Sequence, residues 1–206
     1  MGNFKEGLDE IINRRQLNIS IAKRSILLSK TEIQKNYLVC SSVLLIYANL
    51  EGGVKEISSL LLGHINRSKV NVGDLCGAYL NQAISGVCKF DMEIKDHEKQ
   101  IAQALFVREC LQSKATLPGS VQTSGNLTPS IIKKVCRSLR IEYFLSSVQE
   151  NNLNILLLSR NSLAHGDQGI SLDMDRIDSF SGLVQCILAD FAIRVLDVYE
   201  TMSWLQ

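Results

Sequence analysis

The stretch SKTEIQKNYLVCSSVLLIYANLEGGVKEISSLLLGHI, residues 29–65, decides the fold class. Its apolar positions Ile33, Tyr37, Cys40, Leu44, Tyr47, Leu50, Val54, Ile57 and Leu61 advance in steps of three or four, the period of one helix face. Ser29-Lys30-Thr31-Glu32 reads as a capping box, in which the serine hydroxyl accepts from the backbone N–H three residues on and Glu32 reaches back. The spacing predicts one long helix over 30–65. Gly52 and Gly53 sit in its middle and cost about 1 kcal/mol each relative to alanine. Close approach of another helix is the gain that offsets them.

Working outward, residues 4–28 keep a helical period through Leu8, Ile11, Ile12, Ile19, Ala22 and Ile26, with a candidate interruption at Asn18-Ile19-Ser20. After a turn over 66–73, Asp74 can open a third helix reaching Lys89, with Leu75, Tyr79, Ala83 and Val87 on one side. Asp96 can cap a fourth whose Ile101, Leu105 and Val107 feed the core. Residues 113–126, SKATLPGSVQTSGN, are the one stretch rich in Pro, Gly, Ser and Thr, and predict an exposed loop inside a single domain spanning 1–206. Thr128-Pro129 is an N-cap followed by proline at the first helical position, for a helix to Arg140. A break near Asn151-Asn152 precedes a short helix over 153–165, stopped by Gly166. Asp173 or Asp175 opens the last helix, with Ile177, Phe180, Val184, Phe191, Val195 and Val198 in register as far as Trp204. Only two prolines punctuate the chain, and no convincing strand appears, so the expectation is an all-α bundle of about seven helices.

Composition narrows the function. Lys and Arg number 22 against 21 Asp and Glu, which excludes a protein that holds nucleic acid by bulk charge but leaves room for a local basic cleft. The six cysteines have no CxxC spacing and mostly lie in apolar runs, as small buried hydrophobes of a reducing cytosol do. The first ten residues carry Glu6, Asp9 and Glu10 and no apolar core of a signal peptide. The most apolar run, 43–50, is short of the roughly 20 residues a bilayer needs, so no membrane partner and a cytoplasmic location are expected. Walker A and GxSxG patterns are absent. His64 and His97 read as solvated or capping residues without metal-ligand spacing. Asp173, Asp175 and Asp178 lack the glycine and glutamate of a calcium loop and read as first-turn helix charge. No metal or other cofactor is expected.

One segment carries chemistry. Ser159-Arg160-Asn161-Ser162-Leu163-Ala164-His165-Gly166-Asp167 reads as R-N-x-x-x-H followed by glycine. Asn161 and His165 are four apart and share a helix face, and the long Arg160 side chain can swing to the same rim. A permanently charged guanidinium clamps phosphate and steadies developing negative charge. An imidazole moves protons at neutral pH. Upstream, Tyr47, Glu51 and Lys55 step by four, forming a polar stripe on an apolar helix. Burying such groups unpaired costs several kcal/mol, so the stripe is either an i,i+4 ion pair on a solvated face or a partner of the Arg/His segment.

These segments resemble the HEPN superfamily, whose signature is an arginine, four to six residues, then a histidine. RNSLAHGD at 160–167 is close to the RNxIAHG form of the RiboL-PSP-type and MAE-type bacterial branches, and YANLEGGVK at 47–55 is similar to their YAxxEGxxK segment. Ser124-Gly125-Asn126-Leu127 echoes the polar-Asn-Leu loop that precedes a helix in that family. The resemblance covers roughly residues 30–200. It implies an up-and-down helical bundle acting as a homodimer, in which Arg and His of two protomers meet in one cleft. The reaction it implies is metal-independent cleavage of RNA through 2′-hydroxyl attack, in a toxin–antitoxin or anti-phage setting. On that analogy His165 is the general acid/base, Arg160 binds the scissile phosphate, Asn161 holds the pair, and Ser162, Tyr47, Glu51 and Lys55 support them. Two other readings stay open: a catalytically silent HEPN module that binds nucleotide, RNA or a protein partner, and a toxin held inactive by an antitoxin.

Overall fold

A computed structural model of the chain describes residues 4–85, 96–123, 125–166 and 172–206. Seven α-helices follow one another among these residues: α1 (Phe4–Leu27), α2 (Glu32–Ser68), α3 (Gly77–Ser85), α4 (His97–Gln112), α5 (Pro129–Ser138), α6 (Ser147–Ala164) and α7 (Met174–Glu200). A single 3-10 turn lies at Val72–Asp74, and no strand occurs among the described residues. The all-α bundle read from periodicity is the fold. α2 is its axis and packs on α1, α6 and α7.

The long helix starts later than its capping pattern indicates. Thr31 is the N-cap, its side chain accepting from Gln34 N at 3.2 Å. Ser29 instead turns its hydroxyl back onto Ile26 O at 2.7 Å and closes α1, so the two hydroxyls serve different helices. α1 runs through Asn18-Ile19-Ser20 without a break, with Ile19 in the core and the Asn18 amide donating to Asn49 at 3.3 Å.

The two glycines of α2 face two neighbours. A Cβ on Gly53 would stand 2.6 Å from Leu188 Cδ2 of α7, and one on Gly52 would stand 2.6 Å from the Arg15 guanidinium of α1. Arg15 spans that gap to reach Glu56 at 2.8 Å and Asn49 at 3.4 Å. The missing side chains thus let α1 and α7 close onto α2, the close approach that their helix-propensity cost called for.

Other expectations need correction too. In the first half of α2 the read positions Ile33, Tyr37 and Leu44 are exposed, and Val39, Val43 and Ile46 are buried in their place, because α1 and α7 cover a different face there. α4 begins as read, with Asp96 capping it, but buries none of its residues; Ile101, Leu105 and Phe106 stay exposed and Val107 is half-buried, because α4 packs chiefly on the 3-10 turn. The 113–126 stretch is a loop, as read, and Lys114, Thr116, Pro118, Gly119, Gln122, Gly125 and Asn126 are exposed, but it is also strapped to the bundle by alternate residues. Ala115, Leu117, Val121 and Thr123 are buried, and the Asn66 amide pairs with the backbone of Leu117 in both directions at 2.7 and 3.1 Å. α6 does not break at Asn151-Asn152; Ser146 and Gln149 form a capping box that starts it a turn earlier. α3 starts at Gly77 rather than Asp74, which sits in the 3-10 turn; Val87, Cys88 and Lys89 lie outside the described residues.

α7 begins on its Asp173 cap and holds every apolar residue of its predicted register in the core. It ends at Glu200, short of Trp204, where the chain turns through Met202 at φ +48° and brings Trp204 back, so that Cys76 N donates to Trp204 O at 2.7 Å. α2 and α7 each hold a stretch long and apolar enough to cross a membrane, more than the run at 43–50 indicates, and half of each stretch is buried inside the bundle.

His64 lies within α2, not at its end, and packs edge-on to Phe4, Tyr199 and Trp204. Burial, with the nearby Arg67 charge, lowers its pKa below the ordinary 6.5. The unfolded chain therefore takes up a proton before the native state does. The stability His64 contributes is present above about pH 6.5 and is lost as pH falls through the lowered native value. In His64→Phe, which keeps a ring in the cluster and removes the titration, thermal melts should show a shallower loss of Tm on acidification over that window. An unchanged slope would assign the acid sensitivity elsewhere.

Candidate functional site

α6 carries the R-N-x-x-x-H segment to its C-terminal end. Ser159 is buried against the bundle, which turns Arg160 and Asn161 to the rim. His165 is the C-cap: its N–H donates to Asn161 O at 3.0 Å, and Gly166 follows at φ +81°, a left-handed conformation glycine adopts without a Cβ penalty. The helix therefore stops where the histidine begins. Its imidazole is exposed and makes no hydrogen bond with the described residues.

Arg160 is fixed from three sides. Its guanidinium lies 4.9 Å from the centre of the Tyr47 ring. It donates to Asn161 Oδ1 at 2.8 Å and to Asn126 Oδ1 at 3.3 Å. A cation over an aromatic face is held by the ring quadrupole, and at a half-buried site this contributes about 0.5–2 kcal/mol. The remaining N–H groups of the fork stay free to meet an anion.

Tyr47 and Glu51 are the anchor beneath it. The buried Tyr47 hydroxyl accepts from Leu127 N at 2.7 Å. Burial raises the tyrosine's pKa, only partly offset by that N–H and the Arg160 charge, so the ring stays neutral under the cation. Glu51 Oε1 accepts from Lys55 Nζ at 2.7 Å and from Thr123 Oγ1 at 2.7 Å. Burial pushes the Glu51 pKa up, but the Lys55 and Thr123 contacts outweigh it and hold the carboxyl below its ordinary value. The side chains of Glu51 and Lys55 are 15% and 42% exposed, so the acid is sheltered while the lysine keeps its head in water.

The stripe and the R-N-x-x-x-H segment thus meet: Tyr47, Arg160 and Asn161 touch one another in a chain, and Glu51 and Lys55 adjoin Tyr47 along α2. Glu51 pairs with Lys55 and Thr123 and forms no hydrogen bond or ion pair with Arg160, so its effect on the arginine runs through Tyr47 and the Thr123 side of the loop. The side chains of Ser162, on the same helix, and of His165, at its C-cap, make no hydrogen bond to this cluster. Two residues escaped the sequence reading of the site, Thr123 and Asn126. Asn126 had a signal in the Ser-Gly-Asn-Leu echo, of which Ser124 lies outside the described residues; Thr123 had none, since its contact spans 72 residues.

The candidate metal-loop acids behave as helix charge: Asp173 caps α7 and Asp178 pairs with Lys23. His97 is the exposed first residue of α4. No curated protein and no solved structure matches the chain. A family model does match, the HEPN_MAE_28990-like HEPN, over residues 4–202. With that match covering nearly the whole chain, and with an all-α bundle beneath it, the chain belongs to the MAE-type HEPN family.

Proposed function

We propose that this protein is a metal-independent endoribonuclease that cleaves RNA through its own 2′-hydroxyl, working in the cytoplasm as a toxin or anti-phage effector. Membership of the HEPN family points to an RNA-related, nuclease or nucleotide-binding role. The observation that carries the finer reading is the fixed Arg160 fork beside an unengaged, exposed His165 on the same helix end. A positioned guanidinium is what a phosphodiester in transition needs, and an unengaged imidazole is what proton transfer needs.

The steps balance without any further group. An imidazole takes the 2′-hydroxyl proton as that oxygen attacks phosphorus. The bond to the 5′-oxygen breaks, and the departing oxygen takes a proton from a second imidazolium. The products are a 2′,3′-cyclic phosphate and a 5′-hydroxyl. One chain offers one such histidine, so two protomers supply base and acid, with the partner's His165 completing the pair. Labelled single-stranded RNA and DNA of the same sequence, incubated with the protein in EDTA, test the reading. RNA should be cut and DNA should not, because DNA lacks the nucleophile.

The dimer has an anchor of its own. Leu158 is 67% exposed and lies three residues before Asn161 and seven before His165, on their face of α6. An apolar side chain on that face favours a two-fold contact that brings both copies of the segment together. Leu158→Glu places two like charges across such an axis. It should convert a dimer to monomer in analytical ultracentrifugation and reduce cleavage by more than about tenfold, one decade being 1.4 kcal/mol. A variant that stays dimeric and active removes Leu158 from the interface.

A further inference from the structure

The chain is nearly neutral overall, but α5 is not. It carries Lys133, Lys134 and Arg137 and no acid, and Arg140 follows two residues after its end. Ile132, Val135 and Cys136 face the core, and the four cations face out. Arg140 is used: it donates to Ser203 O at 2.7 Å. Lys133, Lys134 and Arg137 form no ion pair or hydrogen bond among the described residues, although Lys133 lies 5.6 Å from the centre of the Tyr143 ring. Three exposed cations without counter-charges on one short helix make a local positive field that the net charge conceals.

Beside α5 lies a cavity of about 380 Å³, walled by α3, α5 and the partly buried strap that precedes α5. Val121 and Ile131 supply apolar wall, and Lys134 stands at its edge. Two amides line it. Gln82 spends its NH₂ on Ser138 O and Ala78 O and keeps its carbonyl oxygen free; Gln122 has no side-chain partner among the described residues. An apolar wall with one free amide, one free amide oxygen and a cation suits a planar base whose edge reads donors and acceptors and whose phosphate is anionic.

The same strap reaches the candidate site. Gln122 lines the cavity, and the next residue, Thr123, bonds Glu51. Asn126, four residues on, accepts from Arg160, and four extended residues span at most about 14 Å. We propose that the outer face of α5 and this cavity are the docking track for single-stranded RNA entering at Arg160: Lys133, Lys134 and Arg137 take backbone phosphates, and the cavity takes one unstacked base. The inference rests on the endoribonuclease reading and names where its substrate lies.

The test uses binding, so it does not depend on cleavage. A short single-stranded 2′-O-methyl oligonucleotide lacks the nucleophile and stays intact on the wild-type protein. Its Kd is measured by fluorescence anisotropy across a salt series. Lys133→Ala/Lys134→Ala/Arg137→Ala should weaken binding about tenfold or more and flatten the slope of log Kd against log salt by about 2, as three lost phosphate contacts on a single strand require. These side chains are exposed, so the melting temperature should hold, and Lys134→Glu alone should already weaken binding. Probes made abasic at one position each should lose affinity at one or two positions only. Wild-type affinity and slope in the triple variant would overturn the track, and so would a wild-type protein that binds no RNA. A loss equal at every abasic position would overturn the base-holding cavity. Stronger competition by polyglutamate than by RNA of equal charge would reassign the face to an acidic protein. Cleavage of RNA in EDTA by wild type, measured separately, tells failure of the track from failure of the nuclease reading.

Discussion

His165→Ala should retain the fold and lose cleavage by about 10²- to 10⁴-fold, the usual cost of removing a positioned acid/base. The fold is spared because of how this residue is used. Its link to α6 is the backbone N–H that donates to Asn161 O, and alanine keeps that bond. Its side chain is exposed and has no hydrogen-bond partner among the described residues, so deletion opens no cavity and orphans no polar group. Thermal melts of wild type and variant should therefore superimpose while initial rates on single-stranded RNA in EDTA diverge. Equal rates, or a wild-type rate that needs added Mg²⁺, would remove histidine acid/base chemistry from the mechanism. A wild type that binds RNA without cutting it would favour the silent HEPN module.

What was legible in the sequence follows the range of the forces. The second half of α2 and the whole of α7 could be read because one face of each is buried there, so the period of three to four survives in composition: Tyr47, Leu50, Val54 and Ile57 in one, Ile177, Phe180, Val184 and Phe191 in the other. At 113–127 the loop could be read, but not the burial of Ala115, Leu117, Val121, Thr123 and Leu127. Its small and polar residues have the local chemistry of a loop, and its burial depends on Asn66, Glu51 and Tyr47, each more than 50 residues away. α4 misled in the opposite sense, since Ile101, Leu105 and Val107 read as core residues and none of the three is buried. The site divides along the same line. Tyr47, Glu51, Lys55, Arg160 and Asn161 stand at helical spacings that pattern can find, whereas Thr123 enters through a fold contact that pattern does not encode.

Arg160→Ala should lower kcat by about 10²- to 10³-fold, the scale on which loss of one preorganised charge-stabilising donor is felt. The preorganisation is visible in the three constraints on this side chain: the Tyr47 ring at 4.9 Å, Asn161 Oδ1 at 2.8 Å and Asn126 Oδ1 at 3.3 Å. They set the plane of the guanidinium, and a plane is what lysine lacks. Arg160→Lys keeps the charge but offers a point cation with no fork, so it should recover only a small part of the lost rate. Tyr47→Leu separates plane from charge. It keeps Arg160 and removes both the ring beneath it and the hydroxyl that accepts from Leu127 N, leaving that buried N–H unpaired. Its cost should fall between wild type and Arg160→Ala, because the arginine remains but wanders. The double variant Tyr47→Leu/Arg160→Ala should then be about as slow as Arg160→Ala alone, since the ring acts through the arginine. If the two losses multiply instead, Tyr47 acts on the substrate or on the strap independently, and the positioning role assigned to the stripe on α2 is wrong.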